Sequence, residues 1–148
     1  MKKITLIRHA QSEWNAYGTQ VPNVKITEAG QNMSKSLTQE VDLCICSTLR
    51  RARETLDHSN IKYKNVIFTD LCIEYLDGNI VNYYNGLAQQ DIKIETEEEI
   101  NERIEKFKNM LRELQDKYDK ICVITHHCFL ERMTGFKFQN CHWLDYQV

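Results

Sequence analysis

The sequence predicts an α/β fold, a three-layer sandwich in which helices cover both faces of a mainly parallel central sheet. Short apolar runs of strand length alternate along the chain with segments whose apolar residues recur at helical spacing. Strands that alternate with helices are usually joined by crossovers, and such strands run parallel. The 148 residues fit a single domain, 1–148, that is large enough to bury its own hydrophobic core.

The first half of the chain predicts three strands and two helices. Thr27 is the expected N-cap of the first helix, and Glu28 suits its first turn. Ser47 and Thr48 are the expected caps of the second helix. In order, the elements are a strand over 3–8, a polar loop over 10–26, a helix from Thr27 to about Glu40, a strand over 41–46, a helix over 49–59 and a strand over 65–69.

The second half begins with an irregular segment, 70–95, which carries the turn signals Asp77-Gly78-Asn79 and Asn85-Gly86. Thr96 and Glu99 then form a capping box that opens the longest helix. Its apolar face is formed by Ile100, Ile104, Phe107, Leu111, Leu114 and Tyr118. A continuous apolar run over 121–124 predicts a central strand, followed by a helix over 128–134 and a strand over 141–146.

The net charge bears on the class of partner, and the length of the apolar runs bears on the location of the protein. The chain has 19 basic and 21 acidic side chains, and this balance argues against a general nucleic-acid binder. The first apolar run stops at Arg8-His9, which is too short for a signal peptide, and no run approaches the roughly 18 apolar residues of a membrane span. The expected location is therefore cytoplasmic, with no membrane partner.

Six cysteines raise the question of a metal site. They form no C-x-x-C pair, so we expect mostly buried thiols that behave as small apolar side chains. A zinc site, with His126-His127 as half of its ligands, is the alternative. The six are Cys44, Cys46, Cys72, Cys122, Cys128 and Cys141.

Histidine and arginine residues collect where the strands end. His9 and His126 each follow a predicted strand, and Arg50, Arg51 and Arg53 follow another. Ligands bind beyond the carboxyl ends of the strands in open sheets of this kind. Arginine grips a phosphoryl group through paired N–H donors, and a neutral imidazole attacks phosphorus. Structural histidines and a solvated arginine face of a helix are the alternatives.

Five segments, in order, resemble the motifs of the histidine phosphatase superfamily, which includes the phosphoglycerate mutases. Residues 6–15, LIRHAQSEWN, resemble the opening motif R-H-G-E-S-x-x-N. Asn140-Cys141 before the last strand also fits. The other four are ITEAG at 26–30, CSTLRRARET at 46–55, LCIE at 71–74 with Gly78 four residues after the glutamate, and THH at 125–127.

The resemblance implies a role for each matching residue. It also implies chemistry that needs no metal and no organic cofactor. The implied roles are His9 as nucleophile, Arg8, Arg51, His126 and Asn15 as phosphate-binding residues, and Glu74 as the donor of a proton to the leaving oxygen.

The sequence departs from the family's pattern near the expected phosphate site. Ala10 replaces a glycine after the nucleophile and would be strained if its φ were positive. His127 replaces the glycine after the second histidine, and the loop from Tyr17 to Lys25 is also unusual. Candidates to line the substrate pocket are Tyr17 and His127, together with Lys25, Tyr83, Tyr84, His142 and Trp143.

The predicted function is a metal-independent phosphatase that hydrolyses a phosphomonoester, or a phosphoamide, through a phosphohistidine intermediate on His9. The expected partner is a small phosphorylated substrate or a phosphoprotein. Phosphoryl transfer of the phosphoglycerate mutase type is one alternative, which the short segment over 78–95 disfavours. A catalytically weak module that binds phosphorylated ligands is the other, and Ala10 and His127 are its support.

Overall fold

The computed structural model describes residues 2–19, 21, 23–77 and 93–148. Pro22, the turn residues Gly78, Asn79, Asn85 and Gly86, and the pocket candidates Tyr83 and Tyr84 lie outside the described residues. The elements are β1 (Lys3–Arg8), α1 (Glu13–Tyr17), α2 (Glu28–Ser34), β2 (Glu40–Ser47), α3 (Arg50–His58), β3 (Lys62–Thr69), a 3₁₀ helix (Asp70–Cys72), β4 (Leu76–Asp77), β5 (Ile94–Glu95), α4 (Glu97–Gln115), β6 (Lys120–Thr125), α5 (His127–Thr134) and β7 (Trp143–Tyr146).

The central sheet has five strands in the order β3-β2-β6-β1-β7. The first four run parallel, and β7 is antiparallel to β1. β4 and β5 form a separate parallel pair. The predicted α/β class with a mainly parallel sheet is confirmed.

Helices cover both faces of this sheet because successive strand residues point to opposite sides. Leu6 of β1 packs with α4 and α5 residues such as Phe107 and Phe129. Its neighbour Ile7 lies in a second cluster, with Ala52 and Leu56 of α3. The inner parallel strands β1, β2 and β6 therefore have both faces buried, and their carboxyl ends are free to build a site.

Several local signals are confirmed. The Thr27 side chain accepts a hydrogen bond from the Gly30 N–H at the start of α2. Thr96 and Glu99 form both bonds of the capping box at the start of α4. Five of the six cysteines are buried, and Cys128 is partly buried. Burial raises the pKa of the Cys72 thiol to about 12, so this side chain stays protonated.

Other boundaries differ from the prediction. The loop predicted over 10–26 contains α1, which Ser12 caps and Gly18 ends in a left-handed conformation. The helix α2 ends at Ser34 and not near Glu40, because the chain turns to bury Leu37 before β2 begins. The edge strand β3 begins three residues earlier than predicted, and β7 two residues later.

The predicted caps of α3 are wrong. Leu49 is the N-cap and has no capping side chain, and Asn23 Oδ1 accepts from the Arg50 N–H in the first turn at 2.7 Å. The Ser47 hydroxyl instead lies 2.7 Å from His126 Nε2, and the Thr48 hydroxyl bonds to Asp70. Both hydroxyls are used for contacts with segments that lie far along the chain.

Two findings concern the described residues only. None of their helices combines the length and the apolar character needed to cross a membrane. No three of their His, Cys, Asp or Glu side chains form a group that could hold a metal ion.

Candidate active site

The predicted residues meet in one cavity at the carboxyl edge of the sheet. The cavity has a volume of about 70 Å³. Pockets that enclose a whole small-molecule ligand are usually about 300–1,000 Å³, so this one has the size for a single small group. Its lining includes the predicted residues Arg8, His9, Asn15, Arg51, Glu74 and His127.

His9 follows β1 directly, and its side chain is buried. Its Nδ1 lies 2.7 Å from the carbonyl oxygen of Ala10. A carbonyl only accepts, so Nδ1 carries the proton and the lone pair is on Nε2. Burial, with the nearby charges of Arg51 and Arg8, lowers the pKa of His9 well below its usual value. The imidazole is therefore neutral at neutral pH.

His126 follows β6 and lies beside His9, with 5.2 Å between the ring centroids. Ser47 Oγ accepts from the Leu49 N–H at 3.2 Å and lies 2.7 Å from His126 Nε2, to which its hydroxyl hydrogen can be donated. In that arrangement the proton of His126 is on Nδ1, which is buried and has no hydrogen-bond partner among the described residues. Burial, Arg51 and His9 lower the pKa of His126 well below its usual value.

Of the three arginines after β2, only Arg51 lies in the site. It lies in the first turn of α3, on the buried side with Ala52 and Thr55. Arg50 points away and pairs with Glu54 at 2.8 Å, and Arg53 is exposed. Arg8 comes from β1, and its Nη1 donates to the carbonyl oxygen of Phe138 at 2.8 Å. Two guanidinium groups thus border the cavity.

Asn15 reaches the cavity from α1. Its Oδ1 accepts from the Ser12 N–H at 3.0 Å, the Ser12 hydroxyl at 2.9 Å and Asn140 Nδ2 at 3.2 Å. With the oxygen held by three donors, the NH₂ group is the end of the amide that is left to bind a ligand. Asn140 Nδ2 also donates to the His9 carbonyl oxygen at 3.1 Å, so it links the two site segments. Asn140 fits the family's pattern in the sequence, but its bond to the His9 carbonyl oxygen is visible only in the structure.

Glu74 follows the 3₁₀ helix and is 9% exposed. Its Oε1 accepts from the N–H groups of Tyr75 and Phe129, both at 2.9 Å. Its Oε2 has one longer contact, 3.3 Å from the Cys128 N–H. Oε1 is thus suited to be the carbonyl oxygen of the neutral acid, and Oε2 is the oxygen that can carry the proton.

Ala10 does not disturb the cavity. Among the described non-glycine residues, positive φ values occur only at Asn23 and Cys141, so Ala10 is not strained. The Ala10 side chain lies in the hydrophobic core with Ile7 and Ile26. Its N–H donates to Thr55 Oγ1 at 2.9 Å, which ties the residue after His9 to α3.

The remaining pocket candidates have different positions. His127 lines the cavity, with Nδ1 3.1 Å from the Phe138 carbonyl oxygen and Nε2 3.4 Å from Glu131 Oε2. Tyr17 does not line it, because this side chain lies at the end of α1 and is 75% exposed. Lys25, His142 and Trp143 are also exposed and outside the lining.

The burial of two neutral histidines predicts how the free energy of unfolding changes with pH. Their folded pKa values are lowered, so below about pH 6.5 the unfolded chain binds protons that the folded chain does not. The free energy of unfolding should therefore fall with falling pH, by up to about 1.4 kcal/mol per pH unit for each histidine. Urea unfolding in phosphate-free buffer between about pH 7 and pH 5 measures it.

The matched variants are His9→Asn and His58→Asn. His58 is exposed at the end of α3. His9→Asn should reduce the pH dependence of the unfolding free energy, and His58→Asn should leave it unchanged. An equal pH dependence in the wild type and in His9→Asn would contradict the buried neutral state of His9.

The chain is similar to known proteins in part of its sequence and in its fold. Residues 4–75 match the histidine phosphatase superfamily (branch 1). No curated protein sequence matches the chain. Among solved structures, the alpha-ribazole phosphatase from Shigella flexneri shares 19% identity, with 99% of this chain and 90% of that chain covered and a TM-score of 0.70. A phosphoserine phosphatase from Entamoeba histolytica, in complex with 3-phosphoglyceric acid, shares 21% identity, with 98% and 90% covered and a TM-score of 0.70.

A third similar structure is that of the open reading frame Rv3214 from Mycobacterium tuberculosis, with 17% identity, 96% of this chain and 89% of that chain covered, and a TM-score of 0.72. At such identities the similarity concerns the fold, and it extends over nearly the whole chain. The structure therefore defines an α/β protein whose cavity, at the carboxyl edge of the sheet, is lined by histidine and arginine side chains. The family match covers 72 of the 148 residues, so the first half of the chain resembles the histidine phosphatase superfamily in sequence. This match and the phosphatases among the similar structures support the enzyme class predicted from the sequence, a phosphatase.

Proposed function

We propose that this protein is a metal-independent phosphatase that hydrolyses phosphomonoesters, or phosphoamides, through a phosphohistidine on His9. The observation that carries the proposal is the set of residues that line the small cavity at the carboxyl edge of the sheet. A neutral imidazole, two guanidinium groups and a carboxyl group line it together. These are the groups that phosphoryl transfer to histidine needs: a nucleophile, positive charge and a proton donor.

In the first step, His9 Nε2 attacks the phosphorus atom. The Nε2–P bond forms as the bond from phosphorus to the leaving oxygen breaks. Glu74 Oε2 gives its proton to that oxygen, so the leaving group departs as a neutral alcohol. The bond from Nδ1–H to the Ala10 carbonyl oxygen at 2.7 Å holds the ring and supports the positive charge that it gains.

In the second step, a water molecule attacks the phosphorus atom of the phosphohistidine. The Glu74 carboxylate takes a proton from the water as the new P–O bond forms. The Nε2–P bond breaks, and the electron pair returns to His9. Inorganic phosphate leaves, and both side chains are back in their starting protonation states.

Charge stabilisation falls to the donors around the phosphoryl oxygens. Arg8 and Arg51 offer paired N–H donors, and Asn15 offers its NH₂ group. His126 supplies Nδ1–H from the buried side, held in that tautomer by Ser47. Together they give the positive field that a metal ion gives in other phosphatases. A free phosphate would bind the same donors as a product.

The cavity volume bears on the class of substrate. With about 70 Å³, it takes up the phosphoryl group and leaves the rest of the substrate outside. The substrate is therefore a small phosphorylated molecule or a phosphorylated side chain of a protein, with its leaving group at the cavity mouth. The Shigella and Entamoeba structures bear the names alpha-ribazole phosphatase and phosphoserine phosphatase, and both names fit a small phosphorylated substrate.

Hydrolysis of p-nitrophenyl phosphate tests the proposed function. We expect the purified protein to release nitrophenolate at a rate that an excess of chelator leaves unchanged, because arginine and histidine supply the positive charge. Inorganic phosphate should inhibit competitively. Binding of phosphate without turnover would favour the binding module, and a rate that is lost with chelator and restored by one divalent ion would contradict the metal-independent mechanism.

A further inference from the structure

We infer that Arg103 is a positioning residue that holds the Glu74 carboxyl group where it can give its proton to the leaving oxygen; this rests on the proposed function. Arg103 lies on α4, and its side chain is only 13% exposed. It is not among the residues that line the cavity. Its effect on the reaction would therefore pass through the segment that carries Glu74.

The Arg103 guanidinium binds the backbone of that segment at three points. Its Nη1 donates to the carbonyl oxygens of Leu71 at 2.8 Å and Ile73 at 2.9 Å. Its Nη2 lies 3.4 Å from the carbonyl oxygen of Glu74 itself. The 3₁₀ helix ends at Cys72, and the Ile73 N–H caps it by donating to the Asp70 carbonyl oxygen at 3.2 Å, so Glu74 and Tyr75 lie outside any helix or strand. The guanidinium therefore supplies this segment with backbone hydrogen bonds that a helix or a sheet would otherwise provide.

Other contacts fix the guanidinium itself. Glu95 binds it with both oxygens, from Oε2 to Nε at 2.9 Å and from Oε1 to Nη2 at 2.6 Å. The Glu95 side chain is 11% exposed, so this ion pair is largely shielded from water. The guanidinium carbon also lies 5.0 Å from the centre of the Phe129 ring. Since the Phe129 N–H binds Glu74 Oε1, the same residue contacts Arg103 and the Glu74 carboxyl.

This network matters for proton transfer more than for phosphate binding. A proton donor must lie within hydrogen-bond distance of the leaving oxygen, and a displacement of about 1 Å can cost 10²-fold in rate. A lysine at position 103 keeps the charge for Glu95 but cannot reach the same carbonyl oxygens with a planar fork of donors. The Glu74 segment would then lose its anchor, while Arg8, His9 and Arg51 keep theirs on other elements.

Two substrates with different leaving groups distinguish misplacement of the proton donor from a general loss of activity. Nitrophenolate leaves without a proton, whereas phenolate, which has nearly the same shape, is more basic and needs one. The ratio kcat/KM reports only the steps up to transfer of the phosphoryl group to His9, and these include the proton donation by Glu74. Arg103→Lys should therefore lower kcat/KM for phenyl phosphate by about tenfold or more and change kcat/KM for p-nitrophenyl phosphate little. Glu74→Gln is the reference, with an expected loss in kcat/KM of about 10²-fold or more on phenyl phosphate only.

The experiment is a double-mutant cycle on the full chain with both substrates. In the Glu74→Gln background, Arg103→Lys should add no further change to the ratio of the two rates. Arg112→Lys, an exposed arginine on the same helix, is the matched control and should behave like the wild type. If Arg103→Lys does not fold, Glu95→Gln keeps the arginine, removes part of its carboxylate support and should show a smaller selective loss.

The outcomes are distinct. Equal losses on both substrates, or no loss on phenyl phosphate, would overturn the positioning role of Arg103 while the proposed phosphatase function stands. A further change of the ratio in the Glu74→Gln background would show that Arg103 acts by another route and would also overturn it. If Glu74→Gln itself is not selective, the donor role of Glu74 fails and the inference fails with it. Absence of turnover in the wild type would instead contradict the proposed function.

Discussion

His9→Ala is expected to lower turnover by about 10⁴-fold or more and to abolish the covalent intermediate. The variant lacks the only group placed to attack phosphorus from within the described cavity with a neutral lone pair. Burial and two arginines lower the pKa of His9, so the wild-type nucleophile is ready at neutral pH without a separate base to deprotonate it. The other two imidazoles nearby are engaged: His126 Nε2 lies 2.7 Å from Ser47 Oγ, and His127 contacts the Phe138 carbonyl oxygen and Glu131.

The intermediate can be measured directly. Brief reaction with a substrate labelled in its phosphoryl group, followed by denaturation, should leave a label that is labile in acid and stable in base, as a nitrogen–phosphorus bond is. His58→Ala, at the exposed end of α3, should keep both label and turnover. Normal activity in His9→Ala, or an acid-stable label, would contradict the mechanism. A thermal unfolding curve for each variant shows that the comparison is made on folded protein.

Arg51→Lys should lower kcat/KM by about 10²- to 10³-fold, although it preserves the charge. Arg51 is 6% exposed and borders the cavity from the first turn of α3. A planar fork can donate to two phosphoryl oxygens at once, whereas an ammonium group acts as a point charge with a shorter reach into the site. The two oxygens gain charge as the transition state forms, so we expect the loss mainly in kcat.

The helix offers two matched controls for Arg51→Lys. Arg53 is exposed two residues away, so Arg53→Lys should leave kcat/KM within about twofold of the wild type. Arg50→Lys weakens the surface pair with Glu54 and should have an equally small effect on the reaction. If Arg51→Lys is active and one of these variants is not, the second phosphate arginine has been assigned wrongly. Steady-state kinetics with p-nitrophenyl phosphate decides between them.

The fold class and most elements could be predicted from the sequence because the signals involved are local. The capping box of Thr96 and Glu99 spans four residues, and the apolar period of α4 repeats within each turn. The continuous apolar run before His126 indicates a strand that is covered on both faces. The position of His9 and His126 at strand ends then predicts that both lie at one edge of the sheet. Short elements such as α1, with five residues, are too brief to show a period.

Tertiary structure alone decided how the site residues are held. Which of three arginines enters the cavity depended on the side of α3 that packs on the sheet. The proton positions proposed for His9 and His126 follow from Ala10 and from Ser47, which is 79 residues away from His126. The link from Asn140 to His9 spans 131 residues, and that from Arg103 to Glu74 spans 29. The donor–acceptor distance of a hydrogen bond varies by only a few tenths of an ångström. No pattern of neighbouring residues encodes the distance between such remote segments to that accuracy.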